Sequence, residues 1–366
     1  MRFPEFTEPW EQHLTTDYFE FKNGLNPDVK RFGTGVKFIS VMDILNNRYI
    51  SYDRIISSVE PKGDDLKDFG VNYGDILFQR SSETLEDVGR ANVYLDKRTA
   101  IFGGFVIRGK KIGNYDPLFF RYLLTCPTVR KRIIVKGAGA QHFNIGQDGL
   151  SKVHLSVPSE KEQKRISDLL NLIDERIETQ SKLIEKLQSL MGGIIEQLTA
   201  HSPNVRIADC LNCYSSTLQE NQLNEIGKYC VYGANGVCGY TDYPAINGDS
   251  ILIVKDGSGV GNVRIATGEY SVIGTSNYLT AKSGYNLRYL YYCLMKFNFA
   301  PYKTGMAIPH IYFKDYGKAK IYCPAVEEQE RIANILSRIE RKMAIEQSIT
   351  DHYNEQKQYL LQQMFI

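Results

Sequence analysis

The 366-residue sequence has no long apolar run, and its longest hydrophobic stretches are as short as Ile251 to Val254. A membrane-spanning helix needs about 18 or more apolar residues in succession, so the sequence excludes such a helix. The first residues, which include Arg2, Pro4 and Glu5, also lack an apolar stretch of signal-peptide length. We therefore expect a cytoplasmic protein.

A disulfide framework is missing as well, because the seven cysteines are odd in number and scattered. Four of them could hold a structural zinc ion, namely Cys210, Cys213, Cys230 and Cys238. The second pair lacks the two-residue spacing of the first and lies in apolar or glycine-rich sequence, which favours buried thiols. We predict no metal site, with zinc on these four thiols as the alternative.

Catalytic motifs are also lacking. The glycine-rich stretch 257–261 is not followed by the Lys-Ser/Thr pair of a phosphate loop. Neither the Asn/Asp-Pro-Pro-Tyr tetrad of many adenine methyltransferases nor a convincing Asp…Glu-x-Lys nuclease arrangement occurs. His142 and His310 have no neighbouring carboxylate that would make them catalytic bases. The sequence therefore predicts a chain that does no chemistry itself.

An internal repeat is the strongest feature that is present. The pattern Pro-x-x-x-Glu-Gln-x-x-Ile-x-x-x-Leu begins at Pro158 and again at Pro324. Further landmarks pair in the same order, and they are Gly74 with Gly248, Gly89 with Gly261, Gly137 with Gly305, and His142 with His310. Net charge repeats too, at +3, −2, +3 and −2 for residues 1–157, 158–200, 201–323 and 324–366. A period this long indicates two duplicated domains rather than a solenoid.

Each repeat ends in a predicted long helix that starts at its proline. In the first helix the apolar residues alternate steps of four and three, as a coiled-coil seam requires, and they are Ile166, Leu170, Ile173, Ile177, Ile184, Leu187, Met191, Ile194 and Leu198. Gly192 and Gly193 are expected to interrupt or bend this helix. In the second helix the seam weakens beyond Glu346, with Ile345 and Ile349 on a shifted phase. We predict that the two helices pack as an antiparallel coiled coil.

The globular halves alternate short strand-like runs with turns, and the Asn235-Gly236 pair predicts a tight hairpin. A helix-like segment lies near 117–134 in the first half and near 286–300 in the second. Two segments, 97–136 and 282–320, are rich in Lys and Arg and contain one acidic residue each, which is typical of a phosphate-tracking surface. We predict an α+β chain with recognition domains at 1–157 and 201–323 and spacer helices at 158–200 and 324–366.

With these features the sequence resembles the specificity subunit of type I restriction–modification systems. The two Pro-x-x-x-Glu-Gln-x-x-Ile helix starts carry the resemblance. Further segments support it, and they are Arg2 to Phe6, Phe21 to Gly24, and Tyr232 to Gly236. The pattern covers the whole chain, and two such helix starts in one chain are specific.

The resemblance implies that two target-recognition domains each read one half of a split sequence in double-stranded DNA. It also implies two adenine-methylating modification subunits as partners, joined by restriction subunits, with S-adenosylmethionine and ATP/Mg belonging to those partners and no cofactor on this chain. A 40-residue helix is about 60 Å long, so it would space the two readers by less than two turns of DNA.

Base contacts are expected from the loops that follow the matched strands, because Arg is the usual reader of guanine and Asn of adenine. The predicted base-contacting residues are Arg80, Ser81, Ser82, Arg90, Asn92, Gln141 and His142 in the first half, and Lys255, Asp256, Ser258, Asn262, Arg264 and His310 in the second. The predicted phosphate contacts are Lys131, Arg132, Lys136 and Lys303. The predicted partner-binding residues on the helix starts are Glu162, Gln163, Ile166, Glu328, Gln329 and Ile332.

Two other interpretations remain open. A coiled-coil scaffold that binds only proteins would show no salt-dependent affinity for DNA. The recognition part of a fused restriction–methylation enzyme would differ in its context and not in its physics.

Overall fold

The computed structural model describes residues 1–139 and 141–365, without the side chain of Thr199. The chain divides into two compact units. Unit 1 comprises residues 1–180 and 349–366, and unit 2 comprises residues 181–348. Each unit therefore contains part of both predicted long helices. The domain boundaries drawn from the repeat stay a prediction.

Short strands and helices alternate in unit 1. Its strands are β1 (Glu11–Leu14), β2 (Phe19–Asn23), β3 (Phe32–Ile39), β4 (Ser58–Val59), β5 (Gly70–Val71), β6 (Ile76–Gln79), β7 (Ser81–Ser82), β8 (Ala91–Val93), β9 (Ala100–Phe102), β10 (Val106–Lys111), β11 (Phe143–Asn144) and β12 (His154–Val157). Its helices are α1 (Val41–Asn46), α2 (Asp65–Phe69), α3 (Pro117–Thr125), α4 (Pro127–Ile134), α5 (Gln147–Ser151) and the first part of α6 (Glu160–Thr199).

Unit 2 follows the same plan. Its strands are β13 (Val205–Arg206), β14 (Leu211–Ser215), β15 (Tyr229–Gly233), β16 (Gly236–Thr241), β17 (Ile246–Asn247), β18 (Ser250–Val254), β19 (Val263–Ala266), β20 (Glu269–Val272), β21 (Ser276–Ala281) and β22 (Lys320–Ile321). Its helices are α7 (Ile207–Cys210), α8 (Leu287–Met295), α9 (Phe313–Tyr316) and the first part of α10 (Val326–Gln363).

The sheets have the same strand order in the two units. A four-stranded sheet runs β2-β10-β6-β8 in unit 1 and β14-β21-β18-β19 in unit 2. A further sheet runs β4-β3-β9-β5 and, correspondingly, β16-β15-β20-β17. In this sheet β3 pairs in parallel with β9, as β15 does with β20. The duplication inferred from the sequence is thus a duplication of topology, and the predicted α+β class is confirmed.

The central strands and the turns follow from their sequences. Strands β6 and β18 are buried along their whole length, as their almost continuous apolar runs require. The predicted hairpin is confirmed, because Gly233 pairs with Gly236, but its two turn residues are Ala234 and Asn235 rather than the Asn235-Gly236 pair. The helical segment predicted at 117–134 is two helices, α3 and α4, which meet at Cys126. Pro127 disfavours helical dihedral angles at the residue before it, which explains this break.

A buried glutamine ties each long helix to its own unit. The Gln163 side chain accepts a hydrogen bond from the Asp116 backbone N–H (2.9 Å) and donates one to the Pro158 carbonyl (2.9 Å). Asp116 in turn caps α3, accepting from the Phe119 N–H at 2.7 Å. In unit 2 the same three contacts are made by Gln329, which bonds the Asn286 N–H and the Pro324 carbonyl, and by Asn286, which caps α8. The repeated glutamine is therefore an internal clamp.

In each unit a tyrosine of the globular part donates a hydrogen bond to a carboxylate of the long helix, about three turns beyond the clamp glutamine. Tyr122 donates to Asp174 at 2.7 Å, and Tyr292 donates to Glu340 at 3.0 Å. Burial raises the pKa of Tyr122 above its ordinary value, so the phenol keeps the proton that it donates. In unit 1 the Lys357 ammonium also lies 2.6 Å from Asp174. These polar contacts fix the position of the long helix against the globular part of its own unit.

The long helices form the predicted antiparallel coiled coil. The core of unit 1 joins Leu170, near the start of α6, to Leu361, near the end of α10. The core of unit 2 joins Leu198, at the end of α6, to Leu336, near the start of α10. Helix α6 is continuous through Gly192 and Gly193, so the predicted interruption at this pair does not occur.

The seam of α10 beyond Glu346 does not move to the phase of Ile345. The residues that continue the steps of four and three from Ile332 are buried or half-buried through Glu346 and Thr350 to Leu360, whereas Ile345 is 50% exposed. The seam thus keeps its register and accepts polar residues. Glu346 is 3% exposed and pairs with Lys342 one turn earlier. Polar residues at such positions lower stability but specify register.

We predict that Gln163→Ala lowers the free energy of unfolding of unit 1 by about 1–3 kcal/mol, because two buried backbone groups lose their partner. Denaturant unfolding of the full chain measures this loss. The matched control is Gln188→Ala, which makes the same change at an exposed position of α6 and should cost less than about 0.5 kcal/mol. Equal losses in the two variants would contradict the clamp.

We also predict that Ile332→Ala lowers the free energy of unfolding of unit 2 by about 2–5 kcal/mol, as expected for a buried isoleucine. Ile345→Ala on the same helix should change it by less than about 0.5 kcal/mol. Thermal and denaturant unfolding of the two variants compare the positions directly. A comparable loss at Ile345 would show that α10 presents a different face to the seam.

Candidate nucleic-acid interface

A basic residue follows the buried central strand of each unit and is held in the same way. In unit 1 the Arg80 N–H donates to the Phe105 carbonyl (2.9 Å), and the Arg80 carbonyl accepts from the Ile145 N–H (3.0 Å). In unit 2 the Lys255 N–H donates to the Thr275 carbonyl (2.9 Å), and its carbonyl accepts from the Ile311 N–H (2.9 Å). Arg80 and Lys255 therefore occupy equivalent places, each at the end of a rigid strand.

A closed loop lies against each of these basic residues. The backbones of Ala138 and Asn144 exchange hydrogen bonds of 2.9 Å, and those of Thr304 and His310 exchange bonds of 2.9 and 2.8 Å. Asn144 pairs with Ser81 in unit 1, and His310 pairs with Asp256 in unit 2. We call residues 80–82, 138, 139 and 141–144 the unit 1 loop cluster, and residues 255–258 and 303–310 the unit 2 loop cluster.

The loop clusters correct one pairing inferred from the sequence. His142 and His310 were expected to be equivalent, as were Gly137 and Gly305. The backbone pairing instead matches His310 with Asn144 and Gly305 with Gly139, whose φ angles are +89° and +144°. A Cβ atom at Gly139 would lie 2.0 Å from the His142 carbonyl oxygen, and one at Gly305 would lie 2.4 Å from the Ile308 oxygen. Glycine is required at both places, and this requirement is the signal that identifies the correct offset.

Most of the predicted base-contacting residues come together in these clusters. In unit 1, Ser81 donates to the Asn144 side chain at 2.5 Å, and Gln141 and His142 are exposed on the closed loop. The Arg80 guanidinium lies near the Gly104 carbonyl, at 3.4 Å. The members in unit 2 are Lys255 and Asp256, both half-buried, the exposed Ser258 and Lys303, and His310, whose ring lies against Tyr312.

The neighbouring turns are equivalent, but their side chains differ. Gly89 and Gly261 bond back to Gln79 and Val254, respectively, at 2.9 Å. The residues that follow them, Arg90 and Asn262, are exposed, and Arg90 pairs with Asp87 at 2.5 Å. Arg264 is half-buried on β19.

The base contact predicted for Asn92 is wrong. Asn92 is only 2% exposed. Its amide donates to the carbonyls of Ile44 (3.0 Å) and Asn47 (2.7 Å) and accepts from the Val93 N–H (2.8 Å). All of these partners lie within unit 1, so the amide is fully used in holding α1 to the sheet.

The basic stretch 97–136 does not form a single charged face. Arg130 donates to the carbonyls of Glu86, Val88 and Gly89, and burial lowers the pKa of its guanidinium to about 10. Others are engaged too, and these are Arg98 with Asp53 and Asp96, Arg108 with Gly70, Arg121 with Asp174, and Arg132 with His154. Lys111 is half-buried and donates to the Tyr115 carbonyl at 3.1 Å, whereas the other lysines are exposed, including the predicted phosphate contacts Lys131 and Lys136.

The helix-start residues predicted to bind partners mostly face the interior. Glu162 is buried. Its carboxylate accepts two hydrogen bonds of 2.7 Å from the Arg2 guanidinium and one of 3.3 Å from the Trp10 indole N–H. Buried too are Gln163, Ile166, Gln329 and Ile332. Glu328 is half-buried and pairs with Arg331 on its own helix. The contacts of the buried five lie within this chain, which leaves them no surface for a partner.

Exposed apolar residues beside the loop clusters were not predicted. Phe105, whose carbonyl holds Arg80, is exposed and borders a cavity of about 410 Å³ lined by Phe32, Phe38 and Met42. Met306 and Ile308 are exposed in the unit 2 loop cluster. A sequence signal was available, since Phe105 follows Gly103 and Gly104, and Met306 follows Gly305, where a turn is expected.

The four cysteines considered for zinc have separate environments. Cys210 is buried near Cys323, and Cys238 donates to the Val231 carbonyl at 3.4 Å. Burial raises the pKa of Cys213 to about 11, which disfavours the thiolate that zinc requires. Among residues 1–139 and 141–365, no group of three or more potential ligands is placed to hold a metal ion. In the same part of the chain, no helix is long and apolar enough to cross a membrane.

Comparison with known proteins identifies the family. A family model of the type I restriction modification DNA specificity domain matches residues 7–189 and again residues 205–352. The chain belongs to this family. The resemblance noted from the two helix starts is therefore confirmed, and the two matches coincide with the repeat.

Individual relatives are distant. The chain is 25% identical over 201 residues to a Methanocaldococcus jannaschii protein assigned as the type I restriction enzyme MjaX specificity subunit, covering 53% of this chain and 46% of the relative. It is 22% identical over 172 residues to the Escherichia coli type I restriction enzyme EcoprrI specificity subunit, covering 47% and 38%. The matched region therefore spans less than half the length of these relatives.

Solved structures share the fold over almost the whole chain. The S subunit of a type I restriction–modification system from M. genitalium has a TM-score of 0.69 at 18% identity, covering 98% of this chain and 96% of that one. A chain from a structure describing complex assembly and conformational transition of the type I R-M system has a TM-score of 0.55 at 14% identity, with 97% of each covered. At these identities the likeness concerns the fold.

We predict that Asn92→Ala lowers the free energy of unfolding of unit 1 by about 1–3 kcal/mol, because two buried carbonyls and one N–H lose their partner. Denaturant unfolding measures it. Asn262→Ala is the matched control at an exposed position and should stay within about 0.5 kcal/mol of the parent. An Asn92→Ala chain as stable as the parent would show that the amide does not hold α1.

Proposed function

We propose that this chain is the DNA-recognition subunit of a type I restriction–modification complex, and that each unit reads one block of a bipartite target. The observation that carries this proposal is the pair of loop clusters. The same backbone hydrogen bonds hold them in both units, while the displayed side chains differ, as Arg80 and Lys255 or Gln141 and Ala307 illustrate. A constant frame with varied side chains suits a protein whose two halves recognise different base sequences.

Charge and exposure support double-stranded DNA as the target. Arg80 and Lys255 end rigid strands, where a side chain can reach base edges in the major groove. The exposed Lys131 and Lys136 precede the unit 1 loop cluster in sequence, and the exposed Lys303 is the first residue of the closed segment in the unit 2 loop cluster. These lysines would contact phosphates, which position a protein without specifying bases. A DNA-reading role also places the chain in the cytoplasm.

The partners we propose are two adenine-methylating modification subunits and, with them, restriction subunits. Because the buried helix-start residues are used internally, we assign docking to the outward faces of α6 and α10. These faces expose apolar side chains, namely Leu172, Leu190, Ile335 and Ile345, and exposed apolar residues of this kind favour protein contacts. In this proposal the chain is not catalytic, and S-adenosylmethionine and ATP/Mg are bound by the partners.

The test is co-expression with the modification subunit, followed by genome-wide mapping of methylated adenine. We expect two short specified blocks around a fixed unspecified gap. Arg80→Ala should relax one block only, because it removes a base contact of one unit. Lys136→Ala should weaken binding to all sequences alike and reduce the salt dependence of binding by about one phosphate contact.

Lys186→Ala, an exposed lysine in the middle of α6, is the matched control and should leave both blocks and the salt dependence unchanged. No new methylation, together with no salt-dependent DNA binding by the full chain, would overturn the proposal in favour of a protein-binding scaffold. An unchanged recognition sequence in Arg80→Ala would remove that residue from the interface.

A further inference from the structure

The unit 2 loop cluster displays two apolar side chains on a closed loop. Met306 is fully exposed, and Ile308 is 66% exposed. Their equivalents in unit 1 are Ala140, which lies outside the described residues, and the polar His142. The two units thus share a frame here but differ in the chemistry that they present.

The loop that carries Met306 and Ile308 is held in place on two sides. Thr304 and His310 close it with hydrogen bonds of 2.9 and 2.8 Å. On the far side Pro309 accepts from the Gly257 N–H at 3.0 Å, and the His310 ring nitrogen lies 3.2 Å from the Ile308 carbonyl. The two side chains are therefore presented by ordered backbone, and little conformational entropy is lost when a partner covers them.

The surroundings of the loop favour a polyanion. Lys303 precedes it and is exposed, Lys255 lies on the strand end that it contacts, and Lys314 lies over the Tyr312 ring at 5.1 Å. Asp256 is the acidic member of this cluster and is half-buried. Apolar side chains within a mainly basic surface match the major groove of DNA, which offers the C5-methyl group of thymine among its hydrogen-bonding atoms.

We infer that Met306 and Ile308 are specificity-determining residues that contact a thymine C5-methyl group in the block read by unit 2. The inference rests on the proposed DNA-reading function and deepens it. Unit 1, with the polar His142 in the place of Ile308 and Gln141 beside it, reads its block by hydrogen bonds instead. The loop in unit 2 then selects thymine over cytosine at one position by apolar contact.

Replacing thymine with deoxyuridine tests this inference, because uracil lacks only the methyl group. The full chain first selects its preferred duplex from a random pool, and Lys255→Ala identifies the block read by unit 2. Each thymine of that block is then replaced in turn. We expect one replacement to raise the Kd about fourfold, which is the factor expected when one buried methyl group is removed from an apolar contact.

The Met306→Ser/Ile308→Ser double variant should bind the thymine and uracil duplexes equally and keep its preference in the other block. Ile226→Ser is the matched control, because Ile226 is an exposed apolar residue of unit 2 that precedes β15, at the end of that strand remote from its turn. It should retain the uracil penalty of the parent.

The inference is overturned if the unit 2 block contains no thymine, or if no uracil replacement weakens binding. It is also overturned if the double variant keeps the parent's uracil penalty. In all of these cases salt-dependent DNA binding would persist and the proposed function would stand. Loss of salt-dependent binding to every duplex by the parent chain would instead overturn the proposed function itself, and this inference with it.

Discussion

The fold depends on a buried amide at the first turn of each long helix. Gln163 and Gln329 each accept from the residue that caps the neighbouring helix and donate to the proline carbonyl that precedes their own helix. A glutamate at this place could accept but not donate, and a leucine could do neither. Since an unsatisfied buried backbone group is costly, this position admits little besides glutamine. The glutamine of the repeated Pro-x-x-x-Glu-Gln motif is thus the residue that attaches each long helix to its domain.

The residues that attach each long helix to its unit are different from the residues that the loop clusters expose to a partner. The clamp, the central strands and the glycines at 139 and 305 are common to both units, and they set where the loop clusters stand. The exposed side chains on those clusters differ between the units, as Gln141 and Ala307 do, while others, such as Ser81 with Asn144, are bonded within the frame. Ala307 can therefore stand where unit 1 has Gln141, while the same pair of backbone hydrogen bonds closes both loops. Such a division permits recognition to change while the fold stays constant.

Much of the architecture could be predicted from the sequence, since it rests on local periodicity. The seam of α6 follows from steps of four and three, and the hairpin follows from Asn235 and Gly236. The phase of α10 could not be predicted in this way. Ile345 is more hydrophobic than Glu346, yet Glu346 is buried. The register of a long helix is decided by its whole length, and a local polar residue is accommodated by a pairing such as that with Lys342.

The sequence by itself determined the duplication, the α+β class, the helix starts and the family, because these are carried by repeated motifs and by spacing along the chain. Only the tertiary structure decided which polar side chains are free to act. Asn92 and Arg90 are two residues apart and were both predicted to contact bases, yet the Asn92 amide is consumed by the carbonyls of Ile44 and Asn47 whereas Arg90 is exposed. The physical reason is that a side chain's availability depends on its partners in space. The hydrogen-bond partners are Ile44 for Asn92 and Pro158 for Gln163. Folding brings such groups together, and the local sequence does not indicate which groups will meet.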